Sequence, residues 1–283
     1  MAKVIDGKKI AENMQNELKK ETTELKKNGI NLTLAVIYVG DDLASKIYIN
    51  NKRKACDYVG IKMKEFKFDC NANENDILRL INELNMDKSV TGIMVQMPLL
   101  HQINAKKIVG AINPQKDVDG FSEVNLGKII TKNYDFLPCT PAGIMEILNS
   151  ENIEIKGKRC VVVGRSNIVG KPLSLMLLNN DATVTICHSK TENLKEACKN
   201  ADILISAVGK KNLITADMVK KDAVVIDVGI NRNEFGKICG DVDFENIKKV
   251  ASYITTVPGG VGPVTVAMLM KNVVLSARKL LKI

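Results

Sequence analysis

Tryptophan is absent from this 283-residue chain, aromatic residues make up 4% of it, and histidine occurs only at His101 and His188. The positive charges are scattered, mostly as lysine pairs such as Lys8-Lys9, Lys19-Lys20 and Lys26-Lys27. With so few aromatics and no arginine-rich cluster, the chain lacks the interleaved stacking and basic groups that bind nucleic acid. The two distant histidines assemble no zinc-type ligand set with the seven cysteines (Cys56, Cys70, Cys139, Cys160, Cys187, Cys198 and Cys239), so no metal site is expected. No cysteine pair has C-x-x-C spacing and their number is odd, which reads as reduced core thiols in a reducing compartment. No apolar run reaches the roughly 18 residues of a membrane span. Met1-Ala2-Lys3 leads straight into an amphipathic stretch without a signal-peptide core. A cytoplasmic protein with neither membrane nor nucleic-acid partners is expected.

What is present is the composition of a folded globular protein, 45% hydrophobic and 26% charged, long enough for two domains or one large one. The net charge of +9 fits a solvated lysine-rich surface, or attraction of small polyanions.

Helix and strand patterns alternate. Lys8 to Asn28 reads as a helix closed by Gly29, and Leu32 to Val39 as a buried strand. Asp41-Asp42 caps a helix running to about Tyr58, with Gly60 as its stop. Ile61 to Phe68 and Val90 to Gln96 read as strands, with helices at Asn75 to Leu84 and Ala105 to Ile112. Ser122 to Pro138 is looser, and Pro141 opens a helix with Thr140 as its N-cap. Strands at Arg159 to Val163, Thr183 to Cys187, Ile203 to Ala207 and Ala223 to Val228 then alternate with helical connections, and Pro263 to Leu281 is a long helix. This alternation implies parallel sheets covered on both faces, an α/β fold.

Within it, Cys160 to Gly170 reads as strand, tight turn and helix start, a variant of G-x-G-x-x-G with Ser166 at the second glycine and Gly170 one place late. Such a turn aims backbone N–H groups and a helix N-terminus at a phosphate, although an ordinary strand–helix turn looks similar. The second strand ends Cys187-His188-Ser189-Lys190-Thr191, without the acidic residue that holds the ribose hydroxyls of NAD. Hydroxyls, a lysine and the nearby Arg165 suit a 2′-phosphate, favouring NADP; His188 is a ligand neighbour or a plain surface residue.

Three further segments carry polar groups where ligands bind. Gln96 lies at a strand's carboxyl end amid apolar neighbours. Lys116 to Phe121 places Asp117 and Asp119 on a turn, where a carboxylate serves the turn itself or accepts paired N–H donors from a heterocycle. Pro258 to Gly262 is a glycine-rich loop open to close backbone approach, or simply the entry to the last helix. Finally, Tyr48 and Lys52, four apart in a helical stretch, fall roughly 40° apart on one face with Ser45 a turn earlier, a plausible acid/base unit.

Together these segments resemble the bifunctional methylenetetrahydrofolate dehydrogenase/methenyltetrahydrofolate cyclohydrolase family over nearly the whole chain. The resemblance rests on A-S-x-x-Y-x-x-x-K at Ala44 to Lys52, V-Q-x-P at Val95 to Pro98, K-D-V-D-G-F at Lys116 to Phe121 and P-C-T-P-x-G at Pro138 to Gly143. G-R-S-x-x-V-G-x-P at Gly164 to Pro172 and P-G-G-V-G-P at Pro258 to Pro263 complete it, in the family's order. Leu100, Thr256 and Val264 depart from the pattern.

The resemblance implies oxidation of 5,10-methylenetetrahydrofolate by NADP⁺, hydrolysis of the methenyl cation to 10-formyltetrahydrofolate, and a homodimer. It implies Lys52, Tyr48, Gln96 and Asp119 as the catalytic set. Folate contacts are implied at Tyr48, Ile49, Asn50, Asn51, Lys52, Val95, Gln96, Met97, Asp119, Pro258, Gly259, Gly260, Val261 and Gly262. Cofactor contacts are implied at Gly164, Arg165, Ser166, Ser189 and Ile230. The expected architecture is a folate-binding catalytic domain over 1–140, completed by the helix 263–283, and a Rossmann-like NADP-binding domain over 141–262, with a cleft between them. The alternatives are an NAD-dependent dehydrogenase without hydrolase activity and, more remotely, a basic nucleic-acid-binding protein on the same scaffold. Lysine is a base only where part of it is neutral, which requires a lowered pKa; partial burial and the cations Lys46, Arg53 and Lys54 are the expected sources.

Overall fold

The computed structural model describes residues 1–281. In chain order its elements are β1 (Lys3–Ile5), α1 (Gly7–Lys27), β2 (Thr33–Val39), α2 (Leu43–Val59), β3 (Lys62–Phe68), α3 (Glu74–Met86) and β4 (Gly92–Val95). There follow α4 (Ala105–Gly110), α5 (Glu123–Ile130), α6 (Cys139–Ser150), β5 (Arg159–Val163), α7 (Gly170–Asn179), β6 (Thr183–Cys187), α8 (Leu194–Lys199) and β7 (Ile203–Ser206). After a 3₁₀ turn at Ala216–Met218 come β8 (Val224–Asp227), β9 (Asn231–Arg232), β10 (Ile238–Cys239), α9 (Phe244–Ile247), β11 (Tyr253–Thr255) and α10 (Val261–Leu281).

The chain divides into two compact units, one of Met1–Ala11 with Thr140–Thr265, the other of Glu12–Cys139 with the chain from Val266 on. The first holds a parallel sheet of order β1-β11-β8-β7-β5-β6. Every residue of β7 and β8 is buried, as the apolar runs of a sheet covered on both faces require. The first eleven residues, expected with the catalytic domain, belong here instead, because β1 adds to the sheet's edge beside β11. Both strands have only three residues, too few for period-2 alternation to stand out.

The second unit is built on a three-stranded parallel sheet of order β3-β2-β4. Ile77, Ile81 and Leu84 of α3 pack with Ala35, Ile37, Ile93 and Val95 of the strands in its core. Helix α2 begins at Asp42, whose side chain accepts from Ser45 N at 2.8 Å, and ends at Gly60 with φ of 86°, where a left-handed residue closes the last turn. Two local expectations change. The stretch after Ser122 holds α5, capped by the Ser122 side chain on Asn125 N. Helix α6 starts at Cys139, so Thr140 is not its N-cap; Pro141 sits in its first turn, where a missing N–H costs nothing.

Candidate active site

Helix α2 and the end of β4 bring two of the expected residues together: Lys52 Nζ donates to Gln96 Oε1 at 2.8 Å. Gln96 is itself fixed, because its Nε2 donates to Met97 O at 2.7 Å. Gln96 is 9% exposed and Lys52 half-buried, so the amide placed amid apolar neighbours is satisfied by the lysine and by backbone. Tyr48 lies one helical turn before Lys52 on α2 and is half-buried.

Burial pushes the Lys52 ammonium below its ordinary pKa, while Asp119 and then the Cys139 and Cys56 thiols act in the opposite sense. The expected cationic neighbours contribute nothing. Lys46 pairs with Asp41 at 2.8 Å, Arg53 Nη2 pairs with Glu65 at 2.7 Å, and Lys54 is exposed. Asp119 moves the other way: burial raises its carboxyl to about 6, Lys52 pulls it down, Asp117 pushes it up and a hydrogen bond with Cys139 lowers it.

The two acids of the Lys116 to Phe121 turn, equivalent in the sequence, have separate duties. Asp117 is 1% exposed and accepts from Gly120 N, Phe121 N, Ser122 N and Asn125 Nδ2 at 2.8–3.3 Å, so its oxygens are committed to the turn. Buried Lys116 donates to Leu84 O at 2.9 Å and Asp87 O at 2.7 Å, closing the carbonyl end of α3. Asp119 makes none of these turn bonds and is half-buried. Gly120 turns the chain after it at φ of 72°, where an added Cβ would meet the Leu137 carbonyl carbon at 2.9 Å.

Two residues of this site were missed. Cys139 is buried, its Sγ 3.4 Å from Val118 O, and burial carries its thiol well above the ordinary range. Asn272 of α10 donates to Val118 O at 2.8 Å and Leu137 O at 3.0 Å. The P-C-T-P motif signalled Cys139, but nothing local marks an asparagine in an apolar helix. Of the implied folate contacts, Ile49 and Val95 are buried and Asn50 accepts from Arg53 at 3.0 Å. The Pro258–Gly262 loop belongs to the first unit, and its Gly260 N donates to Thr256 O at 2.9 Å. A surface depression of about 740 Å³ lined by Lys19, Thr22, Lys54 and Tyr58 contains none of these residues.

In the first unit, Gly164, Arg165 and Ser166 follow β5. Gly164 has φ of 130°, and a Cβ there would lie 2.4 Å from Ala207 O. A Cβ on Gly170 would lie 2.1 Å from Gly164 O, so Gly170 performs the close helix–strand packing of the fingerprint's third glycine from one place further on. Ser166, standing for the second glycine, accepts from Val169 N at 3.1 Å and Gly170 N at 3.4 Å, and so ties the turn to the first residue of α7. Arg165 and Ser189 are exposed, as is Ile230 after β8. His188 has a local duty, its Nδ1 accepting Lys190 N at 3.2 Å. These residues fit a phosphorylated dinucleotide: a tight turn, a helix start and an exposed guanidinium with nearby hydroxyls in sequence.

A parallel sheet with this turn, together with a second α/β unit carrying a half-buried lysine and aspartate, defines a two-domain nicotinamide-nucleotide-dependent oxidoreductase. Residues 138–281 match the model of the tetrahydrofolate dehydrogenase/cyclohydrolase NAD(P)-binding domain, and residues 5–119 that of the catalytic domain. The chain belongs to this family. It is 57% identical over 274 residues to the bifunctional protein FolD of Agathobacter rectalis, covering 97% of this chain and 98% of the relative. The crystal structure of the Campylobacter jejuni bifunctional FolD superposes with a TM-score of 0.97 at 48% identity, over 99% of each chain. The Trypanosoma brucei FolD, crystallised with NADP cofactor and inhibitor, gives 0.96 at 36% identity over 100% of this chain and 99% of that one.

Proposed function

We infer from the family and from the chemistry of both units that the chain oxidises 5,10-methylenetetrahydrofolate with NADP⁺ and hydrolyses the resulting 5,10-methenyltetrahydrofolate to 10-formyltetrahydrofolate. The Lys52–Gln96 hydrogen bond beside Asp119 carries this reading.

Hydrolysis needs a base for water and then a proton for the departing ring nitrogen. Lys52, held toward the neutral amine by burial, takes the proton from water as its oxygen bonds to the methenyl carbon. The same ammonium returns a proton as the carbon–nitrogen bond breaks. Gln96 Oε1 accepts one Lys52 N–H and so directs the lone pair. Tyr48, one turn earlier, orients the amine. Asp119 accepts paired N–H donors of the pterin, and its charge complements the cationic substrate. Once Asp119 is paired with the pterin, less of its charge acts on Lys52, which favours the neutral amine further.

Oxidation depends mainly on positioning. Bound NADP⁺ supplies the hydride acceptor. Gly164 and Ser166 hold the turn and helix start that receive the pyrophosphate, and Arg165 with Ser189 takes the 2′-phosphate. Ile230 offers an apolar contact after β8. The alternative, an NAD-dependent dehydrogenase alone, leaves the half-buried lysine and the exposed Arg165 without work.

We also infer a homodimer. Edge strand β6 leaves Ile186 40% exposed, and an uncovered edge invites pairing. Sedimentation giving a monomer at micromolar concentration refutes it. Among the described residues no helix is long and apolar enough to cross a membrane, and the cysteines are free, which supports a cytoplasmic enzyme. The deciding assay supplies purified protein with methylenetetrahydrofolate and either nucleotide, following methenyl formation and hydrolysis separately. Absence of hydrolysis by the wild type sinks the bifunctional reading.

A further inference from the structure

Two buried acids of the first unit, Asp227 at the end of β8 and Asp241 after β10, take no part in the steps above. Asp241 is fully buried and both its oxygens are engaged. Its Oδ2 accepts from Ser206 Oγ at 3.0 Å, Val208 N at 2.8 Å and Gly209 N at 3.2 Å. Its Oδ1 accepts from Lys210 N at 2.8 Å and Asn231 Nδ2 at 2.9 Å. Asp227 accepts from Gly229 N at 3.1 Å, Asp241 N at 2.9 Å and Val242 N at 3.1 Å.

The arrangement is reciprocal. A Cβ on Gly229 would lie 1.9 Å from Asp241 Oδ1, and a Cβ on Gly240 would lie 1.8 Å from Asp227 Oδ2. Each carboxylate therefore fills the space above the glycine near the other. Two adjacent buried carboxylates are costly unless fully hydrogen-bonded, and these are, which marks a built feature and not a by-product of packing.

The segments gathered by Asp241 leave the carboxyl ends of β7 and β8, where parallel sheets hold ligands. Ala207, which opens the first segment, is the residue against which the phosphate turn packs at Gly164. From β5 the chain goes to β6 on one side, then crosses back to β7 and β8 on the other. A dinucleotide over such a switch point lays one half on each side. The adenosine half belongs with the second strand, β6, where the ribose is recognised. The β7 and β8 segments are left for the other half.

We propose that Asp241, backed by Asp227, is a positioning residue that holds the β7 and β8 segments against the nicotinamide half of NADP. This rests on the NADP reading given above. Asp241→Asn keeps the size of the side chain but sets an NH₂ against at least two N–H or O–H donors, whichever way the amide turns. The KM for NADP⁺ is expected to rise at least about tenfold. Inhibition by 2′,5′-ADP, which carries the adenosine half alone, should change less than about twofold, and hydrolysis of added methenyltetrahydrofolate without nucleotide should match wild type. An unaltered KM for NADP⁺ overturns the proposal. So does equal weakening of 2′,5′-ADP, or a parallel fall in hydrolysis, either of which makes Asp241 a general support. If Asp241→Asn does not fold, Ser206→Ala and Asn231→Ala, each removing one donor, are read the same way with an expected rise of about two- to fivefold. A wild type that neither binds nor reduces NADP⁺ refutes the cofactor reading and this proposal together; an active wild type with an unaffected variant refutes only the proposal.

Discussion

Lys52 Nζ and Gln96 Oε1, 44 residues apart in sequence, meet at 2.8 Å and join the middle of α2 to the end of β4. A primary amide is a neutral acceptor, so it orients the amine without the pKa-raising pull of a carboxylate. Gln96→Glu tests this directly. The new carboxylate would raise the Lys52 pKa, so cyclohydrolase turnover should fall at neutral pH and recover as pH rises. A pH profile superimposable on wild type would remove Gln96 from the pair. Lys52→Met should lower cyclohydrolase kcat by about 10²- to 10⁴-fold, the usual worth of general acid–base catalysis, while NADP⁺ and folate still bind in titrations.

Asp119 offers a second pH test with the opposite sign. Its carboxyl titrates at about 6, above the ordinary value of 3.8, so the ionised form that accepts pterin N–H groups is lost as pH falls through about 6. The KM for folate should therefore climb on the acid side of that value, and Asp119→Asn should abolish the climb. The same change removes the charge that holds the Lys52 pKa up, so the limb on which hydrolysis rises with pH should move to lower pH. A limb that stays put shows that the two groups are uncoupled.

Much of this was legible beforehand because the signals were local. The turn at Gly164, the caps at Asp42 and Gly60 and the same-face pair Tyr48 and Lys52 each lie within a few residues. What stayed hidden depends on contacts between distant segments. Asp117 and Asp119 look alike until Asn125 and three backbone N–H groups claim the first. Of the two expected causes of the lysine's lowered pKa, burial holds, and the cationic one fails for the same reason: Lys46 and Arg53 are close in sequence but are paired with Asp41 and Glu65. Strand β1 pairs with a segment nearly the whole chain away, and no pattern in three residues announces that.

Arg165 is exposed in the turn after β5, next to Ser166, which accepts from Val169 N. A charge-assisted bond to the 2′-phosphate contributes about 1.5–3 kcal/mol, so Arg165→Ala should cut the preference for NADP⁺ over NAD⁺ by about ten- to a hundredfold. Steady-state kinetics with both nucleotides reads the ratio. An unaltered ratio assigns the phosphate to another group.

Asn272 ties α10 to the segments on either side of the site. Its Nδ2 donates to Val118 O, next to Asp119, and to Leu137 O, two residues before Cys139. Asn272→Ala removes both bonds and leaves two carbonyls without that donor, at a cost of about 1–3 kcal/mol for each left buried and unsatisfied. The thermal midpoint should drop by several degrees. Because Val118 leads directly into Asp119, the KM for folate should rise as well, while the KM for NADP⁺ stays near wild type. Asn272→Asp, similar in shape but unable to donate when ionised, should do the same; a variant that loses stability but keeps its folate KM would make Asn272 a purely structural tie.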